Sequence, residues 1–108
     1  MASVNVLNVT DSTFEAEVIQ SKQPVLVDFW APWCGPCVQL GPVIDQVADA
    51  TVGRAKVVKI NIDDNQKAAA LFRINSIPAL LLFHGGEMKE QLNTRSKADL
   101  VAKLESLA

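Results

Sequence analysis

Two cysteines and one histidine are all that this 108-residue chain offers of the side chains that most often hold transition metals, and the scarcity narrows its chemistry at once. A structural zinc site takes four ligands. Cys34, Cys37 and His84 fall short of that number, which argues against zinc within one chain and against an iron–sulfur cluster for the same reason. Covalent haem attachment requires histidine directly after the second cysteine, and Val38 stands there. Nowhere do about 18 apolar residues run together, so no membrane-crossing helix is expected. The opening MASVNVLNVTDSTF has neither the basic region nor the apolar core of a secretory signal, which implies a cytoplasmic protein, although a trimmed organellar chain would read the same way. Ten basic against twelve acidic side chains leave a net charge of −2, so neither a nucleic-acid surface nor attraction to an anionic membrane is expected. Two cysteines are also too few for a secreted disulfide scaffold, and closing so short a loop would stabilise little.

No linker, repeat or low-complexity tract divides the composition, and 49% hydrophobic residues suffice for one packed core, so residues 1–108 read as a single domain. What changes along the chain is the hydrophobic period. VNVLNV alternates and predicts a strand with Val4 and Val6 on one face. DSTFEAEVIQS switches to helical spacing, with Ser12 and Glu15 fitting a capping box and Phe14 and Val18 sharing a face. VLVDFW, residues 25–30, is apolar on both faces, as a strand covered twice should be. A helix from about Cys34 to Ala50 follows, with Leu40, Val43, Ile44 and Val47 inward. AKVVKINI predicts a second buried strand, NQKAAALFRI a short helix from Asn65, ALLLF a third apolar strand, and EMKEQL an edge strand beyond a Gly-Gly turn. Ser96 and Asp99 open a last helix striped by Leu100, Leu104 and Leu107. The order βαβαβαββα makes an α/β protein with helices on both faces of a mixed sheet.

The two cysteines sit in VDFWAPWCGPCVQLGP, at the junction of the central strand with the longest helix. Cys34 falls at the helix start, where unpaired N–H groups and the helix dipole favour an anion, so a thiol there ionises more readily. The thiolate is the nucleophile, which makes Cys34 the candidate attacking sulfur if it is exposed at the loop end. Cys37, one turn on, is the candidate resolving thiol. Gly35 permits close backbone approach, and Pro36 suits a first turn in which its missing N–H has no partner to lose. With metal and haem set aside, dithiol–disulfide exchange is the chemistry left to two sulfurs in a βαβ setting. Asp28 is the lone charge in VLVDFW, on the face of Leu26 and Trp30, and Lys59 is the lone charge in VVKINI. Burial should raise the pKa of Asp28 unless an opposite charge holds it, with Lys59 on the neighbouring strand the obvious partner. The pair is either structural, or Asp28 takes the proton of Cys37 directly or through water. Trp33 reads as exposed and in contact with substrate, and the acids of NIDDNQ, Asp63 and Asp64, as favouring the helix dipole.

VDFWAPWCGPC together with INSIPALLLFHGGE resembles the thioredoxin family, over almost all of the chain from about Val9 to Leu107. The resemblance implies a thioredoxin fold with a central five-stranded mixed sheet flanked by four helices. It implies a Cys34 nucleophile, a buried resolving Cys37 and a cycle between the dithiol and a Cys34–Cys37 disulfide. It also implies that Asp28 and Lys59 are a buried acid and its lysine partner, and that Trp30 packs behind the site. The Ile77–Pro78 bond would be cis and face the cysteines, leaving the backbone of Ile77 free to pair with an extended substrate. The expected activity is that of a monomeric thiol–disulfide oxidoreductase, without bound cofactor. It would reduce disulfide-containing target proteins and be re-reduced by a flavin-dependent thioredoxin reductase that uses NADPH. Gly-Pro between the cysteines resembles the reducing members, while an oxidase or isomerase domain and a non-catalytic interaction subunit are the alternatives. Departures from the family pattern are Val38 where a basic residue is frequent, Ala79 where threonine is usual, and QLNTRSK, which lacks the usual glycine loop; these bear on partner selectivity.

Overall fold

Strand β2, Val25–Trp30, buries every residue from Val25 to Phe29. Successive side chains of a strand point to opposite faces, so a strand with no wet side must be covered twice. Val25, Val27 and Phe29 pack with Phe14, Val18, Val58, Ile60 and Phe83 on one face. Leu26 packs with Leu40, Ile44, Val47, Leu100 and Leu104 on the other. The structure is a computed structural model that describes residues 2–108. Around β2 lie β1 (Val6–Asn8), β3 (Lys56–Asn61), β4 (Ala79–His84) and β5 (Glu87–Leu92), in the order β1-β3-β2-β4-β5. The β1, β3 and β2 strands run parallel, and β4 and β5 join antiparallel, giving the expected mixed sheet. Helices α1 (Gly35–Thr51) and α3 (Lys97–Glu105) supply the Leu26 face, while α2 (Gln66–Leu71) and a π-helical segment, Glu15–Ile19, cover the other.

Local chemistry accounts for most of the element ends. Ser96 accepts the Asp99 N–H and caps α3 as its sequence predicts. Gly85 and Gly86 take φ of 63° and 81°, the left-handed pair that a tight hairpin between β4 and β5 requires. Phe14, Phe72 and Phe83 form an aromatic triad with centroids 5.0 to 5.8 Å apart, locking the π-helical segment and α2 onto β4.

The N-terminal expectations needed correction. Val4 does not share a strand face with Val6: it lies outside β1 and is 97% exposed. Ser12 and Glu15 do not form a capping box, because the hydroxyls of Thr10, Ser12 and Thr13 bond among themselves and to the Thr10 N–H. The turn that follows closes from Gln20 N–H to the Glu15 carbonyl at 2.9 Å, a five-residue step that makes it π rather than α. The start of α2 is held from a distance: Asp11 accepts the N–H groups of Lys67 and Ala68, and Asn65 accepts the N–H of Asp11.

The end of α2 leads into the loop that carries Ile77 and Pro78. Ile74 N–H bonds to the Ala69 carbonyl at 2.8 Å and Arg73 N–H to that of Ala70 at 3.1 Å, the paired bonds of a Schellman ending. Arg73 therefore occupies the left-handed position at φ 56°, where glycine is the unstrained choice and a side chain costs about 1 kcal/mol. Arg73→Gly is expected to stabilise the fold by about 0.5 kcal/mol after the added freedom of the unfolded chain is subtracted. Urea denaturation would show this as a higher midpoint at constant slope.

Candidate active site

The site begins where β2 ends. The chain leaves Trp30 through Ala31, Pro32 and Trp33, and the Cys34 N–H closes the turn on the Ala31 carbonyl at 3.1 Å. Cys34 becomes the N-cap of α1 in extended conformation, φ −89° and ψ 106°. Its Sγ accepts the backbone N–H of Cys37 at 3.2 Å, filling the place that a serine or aspartate oxygen takes at other helix starts. Gly35 and Pro36 complete the first turn without loss of a hydrogen bond, because the first N–H groups of a helix have no partner within it. Cys34 and Cys37 are joined as a disulfide with Cα atoms 5.2 Å apart. A donor aimed at Sγ of Cys34, together with the helix dipole, favours negative charge on that sulfur once the bond is opened.

Accessibility separates the two sulfurs. Cys34 exposes 6% of its surface and Cys37 1%, so Cys34 is the more accessible of the two sulfurs. The exposure expected of Cys34 is correspondingly small, because Ala31, Cys37, Trp30, Ile62 and Ile77 pack around it. Sγ of Cys34 lies 3.8 Å from the carbonyl oxygen of Ile77, and the Ile77–Pro78 bond is cis. Trp33 stands out from this cluster at 69% exposure. Its indole N–H donates to Asp63 Oδ1 at 3.0 Å, so Asp63, expected only to favour a helix dipole, instead fixes the exposed ring beside the cysteines. Such a bond leaves no sequence signal, since the pairing spans thirty residues of chain. Among the described residues no group of three or more His, Cys, Asp or Glu is arranged to hold a metal.

Asp28 and Lys59 lie opposite each other in the β2–β3 register, as the paired strands predict. The expected direct ion pair is not formed. Neither carboxylate oxygen of Asp28 has a hydrogen-bond partner, and Nζ of Lys59 instead sits 4.3 Å from the centre of the Trp30 ring. The aromatic face draws the ammonium toward the end of the strand and leaves the carboxyl without a protein hydrogen-bond partner. Burial pushes the pKa of Asp28 from 3.8 up to about 7, against a smaller downward pull from Lys59.

A parallel–antiparallel sheet in this order, with a Cys-Gly-Pro-Cys disulfide opening the helix after the central strand, defines the thioredoxin fold and its class of thiol–disulfide oxidoreductases. Residues 5–106 match the family described as Thioredoxin, and the chain belongs to that family. It is 56% identical over 79 residues to "Thioredoxin 1" of a Nostoc species, covering 73% of this chain and 74% of that protein. With "Thioredoxin" of Haemophilus influenzae it shares 49% over 83 residues, covering 77% and 78% of the two chains. With "Thioredoxin" of Acidithiobacillus ferridurans it shares 44% over 102 residues, 94% of each.

Asp28 links the site to stability. Below pH 3.8 the carboxyl is protonated whether the chain is folded or not, and burial costs no charge. Between 3.8 and about 7 the unfolded chain releases a proton that the folded chain keeps, so stability falls as pH rises. Above that window the folded protein carries a penalty on the order of 4 kcal/mol. Asp28→Asn is expected to stabilise the fold by about 2 kcal/mol at pH 8, since the buried amide recovers only part of that penalty, and by less at pH 5. Urea midpoints at the two pH values measure it, and a gain independent of pH would contradict the assignment.

Proposed function

We propose that this chain, as a single-domain monomer of the cytoplasm without a bound cofactor, reduces disulfides in other proteins. The Cys34 thiolate attacks a target disulfide, one target sulfur leaves as a thiol, and a mixed disulfide forms. The Cys37 thiolate then attacks Sγ of Cys34, releases the second target thiol and leaves the Cys34–Cys37 disulfide. Two electrons and two protons pass to the target in each cycle. A flavin-dependent thioredoxin reductase using NADPH returns them. The observation that carries this reading is the order of the two sulfurs at one helix start: Cys34 is outermost and receives the Cys37 N–H, while Cys37 lies a turn deeper.

The remaining roles follow from position. Asp28, buried and ionisable near neutral pH, accepts the proton of Cys37 directly or through water, with Lys59 limiting how far its pKa rises. Trp30 backs the sulfurs and takes the Lys59 ammonium on its ring. Gly35 and Pro36 shape the turn between the cysteines, Pro78 fixes the opposing loop, and Ile77 and Trp33 meet the target chain. The thioredoxin family of this chain and its relatives supports the reading.

Insulin-disulfide reduction tests it directly. With dithiothreitol as electron source, the wild-type protein is expected to accelerate precipitation of reduced insulin, and a thioredoxin reductase with NADPH is expected to replace the dithiothreitol. Cys34→Ser should abolish turnover. Cys37→Ser should accumulate the mixed disulfide, visible as a mass increase that a reductant removes. Asp28→Asn is expected to slow resolution by at least about tenfold at pH 7. No acceleration of insulin reduction by the wild type would overturn the central reading, and an unchanged rate in Asp28→Asn would remove its proton-transfer role alone.

A further inference from the structure

The loop between β5 and α3 builds one wall of the mouth beside the cysteines. A polar recess of about 130 Å³ is bounded by Leu40, Ser76, Pro78, Asn93, Thr94 and Arg95. A second, of about 150 Å³, lies between Arg95 and the first turns of α1 at Pro36, Gln39, Leu40 and Val43. Leu40 and Arg95 border both recesses. They flank the redox pair from the side: Pro36 lies between the two cysteines, and Pro78 follows Ile77, whose carbonyl is 3.8 Å from Sγ of Cys34.

Arg95 is the one charged residue lining either recess among the described residues. It is exposed and belongs to none of the ion pairs among the described residues, which join Arg54 to Glu105, Lys56 to Glu17, Lys89 to Glu87 and Lys103 to Glu90. The nearest acid along the loop, Asp99, is engaged elsewhere: its Oδ2 accepts the Thr94 hydroxyl at 2.9 Å and its N–H bonds to Ser96 Oγ. The Ser96 N–H bonds in turn to Thr94 Oγ1 at 3.1 Å. These bonds pin the backbone on both sides of Arg95, so its guanidinium is presented from an ordered loop and less freedom is lost when it is engaged. A planar cation without a partner, rimming a groove that holds no acid, is complementary to a carboxylate.

On these grounds we propose that Arg95 determines specificity, selecting target segments that carry an aspartate or glutamate side chain beside the cysteine under attack. The proposal rests on the disulfide-reductant reading and leaves its chemistry unchanged: Cys34 and Cys37 pass the same two electrons, and Arg95 acts on which chain lies in the groove. Lys97, two residues on, faces a different recess with Ala50, Val101 and Glu105.

The test uses disulfide-linked peptides identical except for glutamate, glutamine or lysine at the residue before or after the attacked cysteine. The readout is the ratio of second-order reduction rates within one protein, which is independent of its absolute activity. Wild type is expected to reduce the best-placed glutamate peptide about threefold faster than its glutamine counterpart at low salt, the range of an exposed ion pair. That preference should shrink toward unity in 0.5 M salt. Arg95→Gln should remove it, Arg95→Lys should retain part of it, and Arg95→Glu should turn it toward the lysine peptide. Equal rates for glutamate and glutamine peptides in the wild type, or an equal preference in Arg95→Gln, would overturn the inference while reduction of the glutamine peptide upholds the reductant reading. Failure to reduce any peptide would overturn both.

Discussion

Strand β2 has to bury both faces, and the other elements take their places from that requirement. Parallel β3 and antiparallel β4 satisfy its backbone on either side, and the helices cover it above and below. A strand enclosed in this way meets solvent only at its end, so the turn after Trp30 is where the chain can present reactive groups beside a rigid support. The helix that follows starts from Cys34, its N-cap. The same enclosure makes Asp28 costly, and the cost is concentrated directly upstream of the sulfurs. A carboxyl buried in the central strand holds its proton until near neutrality, which suits it to the proton exchange proposed for it.

Much of this was legible from residue order, and the reasons differ by element. VLVDFW could only be a doubly covered strand, and the Gly-Gly hairpin could only reverse the chain, because each pattern has few physical solutions. The helix after Cys34 was set by its spacing and by Pro36 in the first turn. The spacing of Cys34 and Cys37, with no further ligands, by itself points to redox exchange.

What residue order could not convey were choices among competing local partners. Lys59 had two, the carboxyl of Asp28 and the ring of Trp30, and the ring holds it. Ser12 had Glu15 as a capping partner, yet Thr10 and Thr13 lay closer in the folded turn. Asp63 stands ahead of a helix whose dipole it could favour, while its actual contact is an indole reached across thirty residues. Val4 fits the alternating pattern but has no neighbouring strand to cover it. For Lys59 periodicity specified the strand and the side chain then chose between two partners, whereas at Val4 and in the Glu15–Ile19 segment the backbone itself departed from the pattern.

The sheet ends carry a consequence for how the protein behaves in company. One edge, β1, pairs over three residues only, and the other, β5, is exposed along five of its six residues. Glu87, Lys89 and Glu90 stud that outer strand, and all three are held in ion pairs, Lys89 with Glu87 and Glu90 with Lys103. A second copy trying to add its own strand there would have to strip water from these charges and break those ties. Addition of a further strand is thus opposed by charge at one edge of the sheet and offered only a short template at the other.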